Sequence, residues 1–292
     1  MKIGVSSYSL HQYIKADGND LFDGIRKAAE LGFEGIEFLD MSAYAGEADP
    51  TEFAHRVRQA CADAGLPIVC YTIGADFLQP SGGARTIQQE VERVKGEVRI
   101  AAELGTTCMR HDATRGFPPE HVGPSEFPDA LPMLADACGQ VAAFAKTLGV
   151  RTTVENHGFF VQDSGRCEAL MDAVGDDNFG ALVDIGNFLC ADEDPVQAVR
   201  RMAPHALHCH AKDFHVKPAD AADPGRGWFR SRGGAYLRGA IVGHGTVDLP
   251  ACLALLQQAG YDGWLSIEFE GIEDCLLALE VGLANLRTYL GG

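Results

Sequence analysis

Four short stretches set acids and imidazoles directly after apolar runs: V-E-N-H-G (Val154–Gly158), L-V-D-I-G-N (Leu182–Asn187), H-C-H-A-K-D (His208–Asp213) and S-I-E-F-E (Ser266–Glu270). They supply Glu155, Asp184, a histidine from either His208 or His210, and Glu268. Three carboxylates gathered in an apolar setting repel one another and lose hydration, so a divalent cation is what makes such a grouping favourable. An oxygen-rich set with one imidazole and no thiolate suits Mn2+ first, then Mg2+, Co2+ or Fe2+, and accommodates Zn2+. In H-C-H both imidazoles share one face of a strand, and alternation turns Cys209 away from them. Any one of these acids alone reads as a helix-cap partner or half of an ion pair. Together, at four successive strand ends, they read as a site.

Such a site needs strands that converge. Five segments pair a helical pattern closed by glycine with a short β-branched run: A-A-E-L-G-F-E-G-I-E-F from Ala28, A-D-A-G-L-P-I-V-C-Y-T-I-G from Ala62, A-A-E-L-G-T-T-C-M-R-H-D from Ala101, A-K-T-L-G-V-R-T-T-V-E-N-H-G from Ala145 and Q-Q-A-G-Y-D-G-W-L-S-I-E-F-E-G from Gln257. Glycine suits the left-handed position that ends a helix, and the run after it suits a strand buried on both faces. Adding K-I-G-V-S-S near the start, F-G-A-L-V-D-I-G (Phe179–Gly186) and A-L-H-C-H-A-K-D (Ala206–Asp213) gives eight strands. Helical windows are expected near 21–31, 51–64, 88–104, 128–148, 166–174, 195–202, 249–259 and 273–290. Eight alternating pairs in 292 residues predict an α/β fold, a single (β/α)8 TIM barrel in which 1–292 form one domain. An open doubly wound sheet is disfavoured, because no G-x-G-x-x-G follows the first strand and no G-x-x-x-x-G-K-[ST] occurs. The connection from 214 to 246 exceeds an ordinary βα loop and carries Lys217, Arg226, Arg230, Arg232 and Arg238, which marks it as a functional or partly mobile segment.

The formal charge is −17, which opposes attraction to nucleic acid and to anionic membranes. No apolar run approaches the roughly 18 residues of a membrane span and the N-terminus lacks a leader pattern, so the expected location is cytoplasmic. Nine scattered cysteines with no C-x-x-C pair support neither a disulfide framework nor a thiolate zinc site.

V-E-N-H-G, L-V-D-I-G-N, H-C-H-A-K-D, V-G-H-G-T-V-D-L and W-L-S-I-E-F-E-G, in this order, resemble the xylose-isomerase-like TIM-barrel superfamily of sugar phosphate isomerases and epimerases. That group includes ketose 3-epimerases, inosose dehydratases and hydroxypyruvate isomerases, and the similarity runs through nearly the whole chain. It implies one divalent ion held by Glu155, Asp184, His210 and Glu268, with the A-K-D after His210 favouring it over His208. It also implies a homodimer or homotetramer. The sequence departs from the family at Asn187, where a histidine is frequent, and at Lys212, His215 and Lys217, where ketose 3-epimerases commonly carry an arginine. The endonuclease IV type needs a three-metal cluster with further histidines and a basic face, and neither is found here.

The chemistry expected is proton abstraction next to a carbonyl, with the resulting enediolate stabilised by the cation and a carboxylate, Glu155 or Glu268, taking the proton. His157, Asn187, Lys212, Glu37 and His208 are the substrate-binding candidates. The leading expectation is an isomerase or epimerase of a small carbohydrate: a sugar, keto-sugar or cyclitol. Alternatives are a lyase, either inosose dehydratase-like or a keto-glycoside β-elimination enzyme, and a non-catalytic sugar-binding barrel. Acids after the eighth strand, Glu270, Glu273 and Asp274, argue against a phosphorylated substrate.

Overall fold

A computed structural model of the chain describes residues 1–16, 18–46, 48–79 and 84–291. Its strands are β1 (Lys2–Ser6), β2 (Gly35–Leu39), β3 (Ile68–Ile73), β4 (Cys108–His111), β5 (Arg151–Glu155), β6 (Phe179–Asp184), β7 (Ala206–Ala211), β8 (Asp213–Lys217), β9 (Phe229–Arg230), β10 (Tyr236–Ala240) and β11 (Trp264–Ile267). Seven of the eight expected barrel strands are β1 to β7, and the eighth is β11. They pair in parallel as a closed barrel in the order β1-β11-β7-β6-β5-β4-β3-β2. The fold is a TIM barrel, as the repeated αβ unit predicts.

The punctuation of each unit is local chemistry. Helices begin where Asp20, Asp49, Thr86, Asp163, Asp194, Asp248 and Asp274 accept hydrogen bonds from backbone N–H groups of the first turn. The glycine that closes each of the five segments sits at positive φ, from 67° at Gly65 to 87° at Gly32. Between these signals the helices Leu21–Leu31, Pro50–Asp63, Ile87–Leu104, Phe127–Lys146, Ser164–Val174, Pro195–Met202, Leu249–Gln258 and Cys275–Tyr289 fall within two residues of the expected windows. Their apolar faces cover the outer faces of the strands, where Ile36, Phe38, Met109, Val154, Leu265 and Ile267 are buried in one continuous core.

The long connection after β7 is ordered. β8, β10 and β9 form a three-stranded antiparallel sheet in that order. Its base is fixed by Asp213, whose carboxylate accepts four backbone N–H bonds, from Phe214 (2.9 Å), Gly243 (3.0 Å), Gly245 (2.8 Å) and Val247 (3.1 Å). This explains two of the sequence motifs at once. The final residue of H-C-H-A-K-D is the acceptor and the G-H-G-T-V segment supplies three of the four donors. A Cβ on Gly245 would lie 2.1 Å from Asp213 Oδ1, so only glycine lets the backbone approach this closely. All nine cysteines are buried and free. Among the described residues no helix is long and apolar enough to cross a membrane.

Candidate metal centre

Period-two alternation decides which strand residues enter the barrel. On β7 it turns His208 and His210 inward, while the Cys209 thiol lies against Tyr261 on the outer side. At the C-terminal ends, Glu155 on β5, Asp184 on β6, His210 on β7 and Glu268 just after β11 each present a ligating atom within 4.8 Å of the other three. His210 Nδ1 lies 3.6 Å from Asp184 Oδ2, 3.7 Å from Glu155 Oε1 and 3.7 Å from Glu268 Oε2. Those separations exceed a hydrogen bond, and among the described residues Nδ1 has no hydrogen-bond partner. A buried ring nitrogen facing three carboxylate oxygens without a bonded partner is a donor set that fits a divalent cation.

The carboxylates are held from several sides. Arg110 on β4 pairs with Glu155 and lies 3.1 Å from Asp112 Oδ1, while its Nη1 donates to Ile73 O (3.0 Å). Burial opposes ionisation of Glu155, but Arg110 and then His210 outweigh it and hold the carboxyl well below the usual carboxylate range. Asn187 donates to Glu155 Oε1 (2.9 Å) and accepts from Lys212 Nζ (3.1 Å). Lys212 also reaches Glu268 Oε2 at 2.5 Å and Asp184 Oδ2 at 3.1 Å. Burial disfavours its charge, yet Asp184 and the two glutamates after β11 raise the ammonium pKa well above normal. Gly186 makes this convergence of β6 and β7 feasible, since a Cβ there would meet Lys212 O at 2.8 Å.

Above the cluster opens a cavity of about 430 Å3, with His157, Asn187, Lys212 and Glu270 on its polar wall and Phe159 and Phe229 on its apolar one. His157 Nδ1 lies 3.1 Å from Asp112 Oδ1. Burial would lower the pKa of this imidazole, but Asp112 raises it above the ordinary value. Phe159 is 44% exposed and Phe229 36%. Phe159 takes a φ of 68°, costly for a bulky residue, and is pinned there by its N–H on Gln162 Oε1 and by Arg232 on its carbonyl.

Glu37 and His208, expected at the substrate, are placed elsewhere. Neither is among the residues lining the cavity, and both are buried in the barrel interior, one layer deeper than His210. His208 Nε2 is 2.8 Å from Glu37 Oε2, and His210 Nε2 is 2.9 and 3.1 Å from the two Glu37 oxygens. Lys212 meets Asp184 and Glu268, whereas Asp213 and Glu37 bond elsewhere.

Two residues carry more than the sequence assigned to them. Arg110 is the countercharge of Glu155, and its signal was an arginine standing inside a short, buried barrel strand. Asn156 exchanges hydrogen bonds with the backbone of Asp184, Nδ2 to Asp184 O and Asp184 N to Oδ1, both 2.9 Å. Its position between Glu155 and His157 gave no such hint.

Comparisons with known proteins agree with this architecture. Over 145 residues the chain is 26% identical to an inosose dehydratase of Lacticaseibacillus casei, covering 49% of this chain and 48% of that one. Over 200 residues it is 30% identical to the rhizopine catabolism protein MocC of Rhizobium meliloti, covering 64% and 59%. The chain thus spans about half the length of the curated relatives it matches. In three dimensions it is similar to D-psicose 3-epimerase, with a TM-score of 0.72 at 17% identity over 100% of both chains. The model of the xylose isomerase-like TIM barrel family matches residues 25–287, and the chain that carries this barrel and this cluster belongs to that family.

Proposed function

We propose that the protein is a divalent-metal-dependent isomerase or epimerase of a small sugar, keto-sugar or cyclitol, acting by proton abstraction next to a carbonyl. The observation that carries this reading is the meeting of Glu155, Asp184, His210 and Glu268 within 4.8 Å beneath an open cavity. These four residues would hold the ion, with Mn2+ the best match to the donors and Mg2+, Co2+, Fe2+ or Zn2+ as substitutes. When bound, it supplies Lewis-acid stabilisation of the negative charge left on the substrate oxygens.

The remaining work falls to the chain. Glu155 and Glu268 stand on opposite sides of His210, and each offers a carboxylate to take the proton from carbon. Two such bases allow inversion at a carbon; one allows proton return on the same face. Lys212 donates to an oxygen that gains charge, and Asn187 and His157 read the hydroxyl pattern from the cavity wall. Phe159 and Phe229 cover the C–H face of the ring and exclude water.

A substrate without phosphate fits the charge arrangement. Four of the five basic residues of the β7 connection are engaged within the protein: Arg232 with Asp163 (2.8 Å), Arg238 with Glu273 (3.0 Å), Arg230 with the Tyr236 hydroxyl, and Lys217 over the Trp228 ring. Glu270 faces the cavity from the next strand.

A second reading is a dehydratase using the same proton abstraction, favoured by the likeness to inosose dehydratases. Incubation with keto-sugars and inososes in D2O separates the two. Deuterium at one carbon with the molecular composition retained supports the isomerase or epimerase, and loss of water supports the dehydratase. Absence of exchange with every substrate in Mn2+ would leave a binding barrel and overturn both.

A further inference from the structure

The interior of the barrel beneath the cluster holds an acid and an imidazole that no part of the proposed reaction uses. Glu37 and His208 are almost fully buried and away from the cavity. The Glu37 carboxylate lies between two rings, with His208 Nε2 at 2.8 Å and His210 Nε2 at 2.9 and 3.1 Å from its oxygens. His208 Nε2 is further placed 3.1 Å from Ser266 Oγ, and the two rings cross edge to face at 86°. His210 therefore has one nitrogen against a carboxylate below and the other against the three acids above.

From this we infer that Glu37 is a positioning residue for the metal centre: it keeps the proton of His210 on Nε2, so that Nδ1 is the nitrogen left for the cation. A carboxylate can only accept at this contact, and Nε2 must therefore be the donor. An imidazole whose far N–H is held this way is fixed in ring orientation and made a stronger ligand, and loss of the partner commonly costs 10–100-fold in metal affinity. His208 orients the carboxylate by donating to it. The inference rests on the metal reading of Glu155, Asp184, His210 and Glu268.

A competing explanation is a second ion inside the barrel, because Glu37, His208 and Cys70 also bring ligating atoms within 4.8 Å of one another. Both imidazoles already use the Glu37 carboxylate, and the Cys70 thiol has its own neighbours in Cys108 Sγ at 3.7 Å and Tyr71 O at 3.9 Å. The bonds to Glu37 Oε2 account for both imidazole contacts without a further ion.

The test uses the whole chain labelled with 15N at histidine and loaded with diamagnetic Zn2+, the His210 resonances being assigned through their loss in H210Q. Proton–nitrogen spectra of the wild type are expected to show an Nε2–H on His210, strongly hydrogen bonded and slow to exchange, and a metal-bound Nδ1. Glu37→Gln should move the Nε2–H resonance, speed its exchange and weaken Mn2+ binding by calorimetry 10–100-fold, with Glu37→Asp intermediate. Wild-type spectra in which Nδ1 carries the proton would overturn the inference even if neither variant folds. So would E37Q protein with an unshifted resonance and Mn2+ affinity within twofold of wild type. Binding of two Zn2+ per chain, falling to one in C70S, would replace it with the second-ion account. A wild type that binds neither cation sinks the metal reading itself, and this inference with it.

Discussion

Asn156 and Asp184 exchange two hydrogen bonds, each 2.9 Å, between the amide side chain of one and the backbone of the other. The pair extends the β5–β6 ladder one step past its end, using a side chain where a strand would supply its backbone. Asp184 is thereby presented to the cluster from a fixed backbone. In N156A the buried N–H and C=O of Asp184 lose these partners, and the expected cost is about 1–3 kcal/mol per unsatisfied group. A lowered melting temperature together with weaker Mn2+ binding is the expected result; melting and binding both equal to wild type would refute the role.

Cation removal should be visible in stability before any substrate is known. A ligand that binds only the folded state stabilises it by about 2.7 kcal/mol at 100 times its dissociation constant. Thermal melts are therefore expected to fall with EDTA and recover with Mn2+ in the wild type, and to show no response in D184N or H210A. Equal melts with EDTA and Mn2+ in the wild type would count against the site.

The Arg110–Glu155 pair is buried, and both partners belong to the wall of the centre. Removing one partner of such a pair strands a charge, at about 3–5 kcal/mol, whereas removing both costs less. R110M should thus destabilise more than the double variant R110M/E155L. Chemical denaturation of the four members of the cycle measures this, and strict additivity would contradict it.

His111 supplies a pH dependence separate from the metal. Its ring is fully buried beside Phe77 and Phe179, and burial pushes its pKa from 6.5 down to about 4. As pH falls below 6.5 the unfolded chain takes up this proton first, so the folded state loses stability until about pH 4. The full contribution is on the order of 3 kcal/mol. Urea unfolding between pH 7 and 4 should show a steeper loss for wild type than for H111F. Parallel profiles would exclude His111 as the cause.

The barrel and the mouth of the site were legible because their signals are local. β-Branched runs, cap residues and helix-ending glycines mark each unit, and alternation identifies Glu155, Asp184 and His210 as inward. Depth along the barrel axis was not legible. Glu37 and His208 face inward as expected, but the offset between neighbouring strands, which puts them one layer below His210, is a property of barrel closure. The pairing of Arg110 with Glu155 depends in the same way on the β4–β5 register. The sheet of β8, β10 and β9 was missed because β9 is two residues long and the β8–β10 pairing joins segments about twenty residues apart, held by the Asp213 anchor and the buried contact of Phe214 with Leu237.

That anchor separates two tasks within one chain. Asp213 fastens the start of β8 and the segment beyond β10 to the same point on the barrel wall, so both ends of the insertion are fixed independently of what lies between them. Between these ends the segment is tied back to the barrel again, through Arg232 to Asp163 and through Gly233 to Asp192. Under the proposed function, a hairpin grafted between these fixed ends is expected to alter which ligand the cavity accepts, through the wall that Phe229 forms, while Glu155, Asp184, His210 and Glu268 stay in place.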